Sequence, residues 1–184
     1  FAEVMDCASA GETVWALPGV YSNGTMNCSA NQDARVVVKE NVTLAASGSR
    51  EETIIEGAPA TPENEVSYGC GTGAVRCVYL KTGAKIKGFT IRNGYTFCYL
   101  DRDGRPNSGV NGGGIMGVKD QVKCLVSAED CLVTNCWAVR GGGVSGGVAC
   151  TRCEFRGNGC TYIGGAANYC ALTNCLFGGN ARSY

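Results

Sequence analysis

The sequence predicts an all-β solenoid, a stack of coils made of short parallel strands, on three observations. First, Cys131, Cys153 and Cys175 recur at an even 22-residue spacing, and each is followed two positions later by an apolar side chain: Val133, Phe155 and Phe177. Second, Gly142-Gly143 returns as Gly164-Gly165, and Gly157-Asn158 as Gly179-Asn180, on the same 22-residue spacing. Third, the segments between these turns are short, alternating and rich in Val, Ile, Thr and Phe, as strands with one buried face are. A helix needs a 3.6-residue period sustained over several turns, which the glycines break. A strand motif that returns in one orientation once per repeat is satisfied by coil on coil, each strand about 4.8 Å from its copy.

The elements follow in chain order. Phe1, Val4, Met5 and Ala8 lie at i, i+3, i+4 and i+7, and Gly11 can stop the turn, so a capping helix is expected within 1–11. TVWAL (13–17), VVVKENVTL (36–44), TIIEG (53–57) and VRCVYL (75–80) read as short strands, with 21–34 a polar loop. GFTIRNG (88–94) fits the repeat, with Phe89 and Ile91 inward, and GGGI (112–115) plays the part of GGGV (141–144). Phe89 and Cys131 are separated by close to two periods; the drift is attributed to an inserted loop at 95–111 and another within 118–126. The repeat length gives about six or seven coils in a single domain over 1–184. Because the chain begins at Phe1 without a signal peptide, it is expected to be a mature or excised segment, with a longer parent protein in view.

Composition narrows the function. Lys+Arg and Asp+Glu are both 16, so the basic excess of a nucleic-acid binder is missing. No apolar run is long enough to predict a membrane span. Histidine is absent, which removes Ser-His-Asp and Cys-His nucleophile systems and His-ligated zinc. Thirteen cysteines without a metal or haem motif point to an oxidising, extracellular or cell-surface setting, and the odd number leaves at least one thiol unpaired or bonded to another chain.

The Cys131, Cys153 and Cys175 column admits one vertical disulfide at most, and reads better as small apolar side chains stacked in a core beside Val133, Phe155 and Phe177. The other cysteines fall near turns and insertions, where disulfides would pin loops. Cys150 and Cys153 form a CxxC without the second pair that zinc needs or the helix that a redox site needs. Asp101, Asp103 and Asn107 offer hard oxygen atoms on a glycine turn, the set for Ca²⁺ if any metal binds, although Arg102 and Arg105 oppose a cation; no other cofactor is indicated. Asn23, Asn27 and Asn41 head N-glycosylation sequons. Tyr95, Tyr99, Trp137, Tyr162 and Tyr169 could stack on sugar rings. Among outward positions, Arg92, Thr134 and Arg156 share one column and Leu132, Glu154 and Leu176 the next. Glu154 and Arg156 are then an ion pair, and Glu129 and Asp130 point apart, a poor glycosidase pair.

TVWALPGVYS, KIKGFTIRNG, the GGGI and GGGV turns and the Cys-x-Phe rungs resemble right-handed parallel β-helix proteins of the pectate-lyase-like class, from Thr13 to Arg182. The resemblance implies a right-handed coil whose first turn is plugged by the N-terminal helix. It does not imply an activity, because this fold serves lyases, hydrolases, adhesins and scaffolds. Lyases of the class set acidic Ca²⁺ ligands and an Arg or Lys base on one outward face, and pectin-hydrolysing members use several Asp and a His. This chain lacks the His and any Asp cluster on neighbouring rungs. The reading therefore leans against catalysis, toward a secreted structural or adhesive module that stacks end to end with copies of itself into a filament. The alternative is a polysaccharide-acting, lyase-like enzyme or a carbohydrate-binding surface domain, with surface polysaccharide as partner.

Overall fold

The computed structural model describes residues 1–29, 32–104, 106–107 (backbone only), 111–118 and 124–182. Six coils stack along one axis. A first wall runs through Thr13–Ala16, Thr43–Ala46, Lys85–Lys87, Val126–Glu129 and the later halves of Val144–Thr151 and Ala167–Thr173. A second wall is Gly19–Tyr21, Thr53–Glu56, Thr90–Arg92, Leu132–Thr134, Glu154–Arg156 and Leu176–Gly178. A third joins Gln32–Val38, Val75–Leu80, Ile115–Met116 and the opening residues of Val144–Thr151 and Ala167–Thr173. Every pairing within these walls is parallel. Val144–Thr151 passes from the third wall to the first by bending at Gly146 and Gly147, whose φ of 84° and 66° suits glycine.

Parallel register corrects the expected spacing. Thr90 pairs directly with Leu132, so the stretch from Phe89 to Cys131 makes one coil with an insertion rather than two coils. Ser127, Ala149 and Ala171 stand in one register and keep the uninterrupted 22-residue turn. Loops can lengthen freely because the ladder constrains only their ends, and closure entropy grows slowly with length.

The inward columns fill the core. Ile55, Ile91, Val133 and Phe155 stack fully buried on the second wall, and Leu44, Ile86, Ala128 and Cys150 on the first. Cys131 and Cys153 are buried as expected. Cys175 is only half-buried and Phe177 is 52% exposed, against the expectation that both lie in the core. Phe177 does stack on Phe155, centroids 5.2 Å apart, but among the described residues no further coil covers its other side. The helix spans Ala2–Cys7, shorter than 1–11, and plugs the first coil with fully buried Met5. Residues 21–34 are not all loop, since Met26–Ser29 pairs antiparallel with Gln32–Val38. The 36–44 segment is broken at Asn41, whose φ is 58°. Among the described residues no helix is long and apolar enough to cross a membrane.

Polar side chains also stack inside. Asn158 Nδ2 donates to the Val133 carbonyl at 2.9 Å, while its Oδ1 accepts from Cys136 N–H at 3.1 Å. Arg50, in the turn between the first and second walls of the second coil, reaches Glu154 of the fifth at 3.1 Å.

Candidate functional site

Three short parallel strands, Trp137–Arg140, Gly159–Ile163 and Ala181–Arg182, form a separate sheet on the fourth to sixth coils. Trp137 faces Gly159 in register, and its ring occupies the space a Cβ there would need, so only glycine fits. Tyr68, carried in by the 57–74 insertion, stacks on Trp137 with centroids 4.5 Å apart and planes 10° from parallel. On the next strand the exposed Tyr162 ring has the Arg140 guanidinium 4.8 Å from its centroid and that of Arg182 at 5.9 Å. Arg140 has no carboxylate partner among the described residues. Glu65, on the same insertion as Tyr68, turns its carboxylate onto the Gly69 N–H at 2.9 Å. The strand Trp137–Arg140 thus carries an aromatic stack at its first residue and a guanidinium–tyrosine contact at its last.

Two of the five aromatics that the sequence singles out, Trp137 and Tyr162, lie on this sheet. Tyr95 packs behind Trp137 with Cys70, Cys98 and Val139, Tyr99 lies 6.1 Å from Phe97, and Tyr169 stands exposed elsewhere. Tyr68, Arg140 and Arg182 are not among the residues that sequence reading points to. Arg140 and Tyr162 stand exactly one repeat apart in the chain, a signal that the periodicity already contains.

A second groove, of about 470 Å³, lies on the third wall and is lined by Lys39, Lys81, Tyr79 and Asn27. Lys39 Nζ donates there to the Asp6 carbonyl at 3.1 Å.

The outward carboxylates are already engaged. Arg92, Thr134 and Arg156 share a column, as do Leu132, Glu154 and Leu176. Glu154 pairs with Arg156 as expected, and also with Arg50. Glu129 and Asp130 do not point apart; both reach Arg152, at 3.8 and 2.7 Å. Asp130 sits at φ 53°, and this left-handed turn cancels the strand alternation. The hydrogen bond from Arg152 holds the Asp130 carboxyl below its ordinary range, and Arg92 does the same for Glu56. The same left-handed turn at Arg152 lets Cys150 and Cys153 both face the core.

Asp101 and Asp103 lie on a hairpin whose strands Tyr99–Leu100 and Pro106–Asn107 pair antiparallel. Asp101 Oδ1 accepts from the Asp103 N–H at 2.9 Å. The side chain of Asn107 lies outside the described residues, as does Arg105. No group of three or more His, Cys, Asp or Glu side chains among the described residues is placed to hold a metal. Asn23, Asn27 and Asn41 are all exposed, and Asn27 Nδ2 donates to the Ser29 carbonyl and to Asp33. All thirteen cysteines are thiols, so the disulfides expected near turns are not among the bonds of this structure.

The sequence matches no family profile and no curated protein. The fold does have likenesses among solved structures. One is pectin methylesterase PemA from Erwinia chrysanthemi, at 16% identity and a TM-score of 0.50, covering 96% of this chain and 48% of that one. Another is a pectin methylesterase in complex with a hexasaccharide, at 16% identity and a TM-score of 0.47, covering 96% of this chain and 61% of that one. This chain therefore spans about half the length of the first of these proteins. The fold is a right-handed parallel β-helix.

Proposed function

We propose that the protein engages an acidic polysaccharide through the surface of Tyr68, Trp137, Arg140, Tyr162 and Arg182. The observation that carries this reading is the pair of guanidinium groups set against one exposed tyrosine ring, on the same small sheet as a stacked Tyr–Trp pair. The C–H faces of sugar rings pack on aromatic faces, and uronate carboxylates pair with guanidinium forks. Trp137 and Arg140 lie roughly 10 Å apart along their strand, which suits an extended chain rather than a single small molecule. Pectin is itself an acidic polymer, and the name of PemA supports the polysaccharide reading over a purely structural module. Glu56, Asp130 and Glu154 are each held by arginine, so binding is the part of polysaccharide action that this geometry supports.

The test is titration with polygalacturonate and with a neutral glucan. Tyr162→Ala and Arg140→Ala should each weaken polygalacturonate binding by about tenfold, equivalent to about 1.4 kcal/mol. Lys81→Ala, in the other groove, should not. Binding should weaken as salt rises, because exposed charges are screened. Equal binding of the neutral glucan, or none of polygalacturonate, would sink the proposal. Methanol release from methyl-esterified pectin in the same samples reads catalysis separately.

A further inference from the structure

Cys77, Cys131, Cys136, Cys150 and Cys153 are buried in the main core, but a different pair stands apart from them. Cys70 and Cys98 are 3% and 1% exposed and, with Val139, form the buried heart of a satellite cluster outside that core. They come from the two insertions, 57–74 and 95–111, which meet outside the three walls, where the Gly71 N–H donates to the Thr96 carbonyl at 3.2 Å. Cys70 Sγ donates to the Trp137 carbonyl at 3.5 Å and accepts from Thr96 Oγ1 at 3.9 Å. Cys98 packs in the same buried cluster, with Val66, Tyr95 and Trp137 around the pair.

We propose that Cys70 and Cys98 form a disulfide that clasps the two insertions together beneath Trp137. Cys70 sits on a two-residue strand paired only with its own hairpin, and Cys98 lies outside any strand, so no ladder register holds the two Cβ atoms away from the roughly 3.8 Å that a disulfide needs. Cys131 and Cys153 lack that freedom, because ladder register keeps neighbouring Cβ atoms near about 4.8 Å. The oxidant is a small-molecule disulfide such as oxidised glutathione. The Cys70 thiolate attacks one of its sulfurs and expels one glutathione thiolate. The Cys98 thiolate then attacks the Cys70 sulfur of the mixed disulfide and expels the second. Two protein thiols are oxidised, one external disulfide is reduced, and the two thiol protons pass to the departing glutathiones. In the closed arrangement the contact with Cys98 holds the Cys70 thiol below its ordinary value, and the partnership with Cys70 and burial raise Cys98. In the open chain either thiolate can make the first attack, so the two roles are interchangeable. Since both sulfurs end up buried, exchange takes place while the insertions are still open. The pairing does not depend on the polysaccharide reading.

Trypsin makes the test clean. Residues 51–76 and 93–102 are limit peptides that each contain one cysteine, Cys70 and Cys98. The chain is refolded in a glutathione redox buffer, blocked with an alkylating agent and digested without reductant. The expected product is the two peptides joined, lighter than their sum by two hydrogen atoms, which disappears on reduction and is absent from Cys98→Ser. Recovery of both peptides alkylated, or of either joined to a different cysteine, from material with the circular dichroism of a folded β protein overturns the proposal.

Discussion

Asn158 and Asn180 hold the same place on successive coils, and Asn180 Oδ1 accepts both the backbone N–H and the side-chain amide of Asn158, each at 3.0 Å. Asn180 Nδ2 then reaches the Phe155 carbonyl at 2.8 Å, as Asn158 reaches that of Val133 one coil earlier. The pair stitches turn to turn where the walls have no ladder. Asn158→Ala leaves the Cys136 N–H and the Val133 carbonyl without this partner. Each orphaned buried group should cost roughly 1–3 kcal/mol, measured by urea denaturation. A cost under about 0.5 kcal/mol would mean that water replaces the amide, because surface-like losses are of that size.

The two stacked phenylalanines separate covered from uncovered core. Phe155→Ala should cost roughly 3–5 kcal/mol, the range for large-to-small changes in a packed interior. Phe177→Ala, with one open face, should lose little beyond its ring contact, about 0.5–1.5 kcal/mol. Equal costs at the two sites, read from the same denaturation curves, would show that a second copy or further chain covers Phe177 in solution.

The glycine turns make a backbone prediction. A Cβ on Gly142 would overlap the Gly159 carbonyl oxygen, and backbone cannot give way as a side-chain tip can. Gly142→Ala should destabilise by about 1–3 kcal/mol or more, as overpacking does. A Cβ on Gly178 meets nothing within 4 Å, so Gly178→Ala should be tolerated. Thermal melts of the two variants side by side decide it.

Acid should weaken the second wall. Glu56 accepts from Arg92 at 3.0 Å and from Asn93 at 2.7 Å, and these bonds, the arginine's first, depress its carboxyl. A carboxyl lowered on folding contributes stability that is complete above its unfolded value, near 4.5, and is lost as pH falls through the lower folded value. The stability difference between the parent chain and Glu56→Gln should therefore be constant from neutral pH to about pH 5 and shrink below about pH 4. A difference that instead grows on acidification would contradict the assignment.

What the sequence reveals of this molecule depends on where the coils are bare. Between Ser127 and Ala171 nothing interrupts the turn, so residue spacing equals ladder spacing and the Cys-x-Phe columns can be read directly. Upstream, the insertion before Leu132 lengthens one coil to nearly twice the repeat and imitates two. Met26–Ser29 does alternate, Met26 and Cys28 inward and Asn27 and Ser29 outward, but four residues within a polar stretch are too few to stand out as a strand. The proposed binding surface is half visible: Trp137 and Tyr162 stand out as aromatics, whereas Tyr68 arrives from an insertion whose path no periodicity encodes. The ion pair of Arg50 with Glu154 joins positions 104 apart in the chain and leaves no mark on the sequence at all.

That ion pair has a mechanical consequence. In a solenoid each repeat contacts only its neighbours, so a pull on one end should peel coils off singly at similar force. Here the fifth coil is tethered across two intervening coils to the second, whereas the ion pairs of the described residues place no such long tether on the sixth. Unwinding from that end should pause once the sixth coil is lost, until Arg50 lets go of Glu154, and the next extension should be larger than one coil. The molecule would then yield to tension in steps of unequal length, a ratchet set by a single guanidinium.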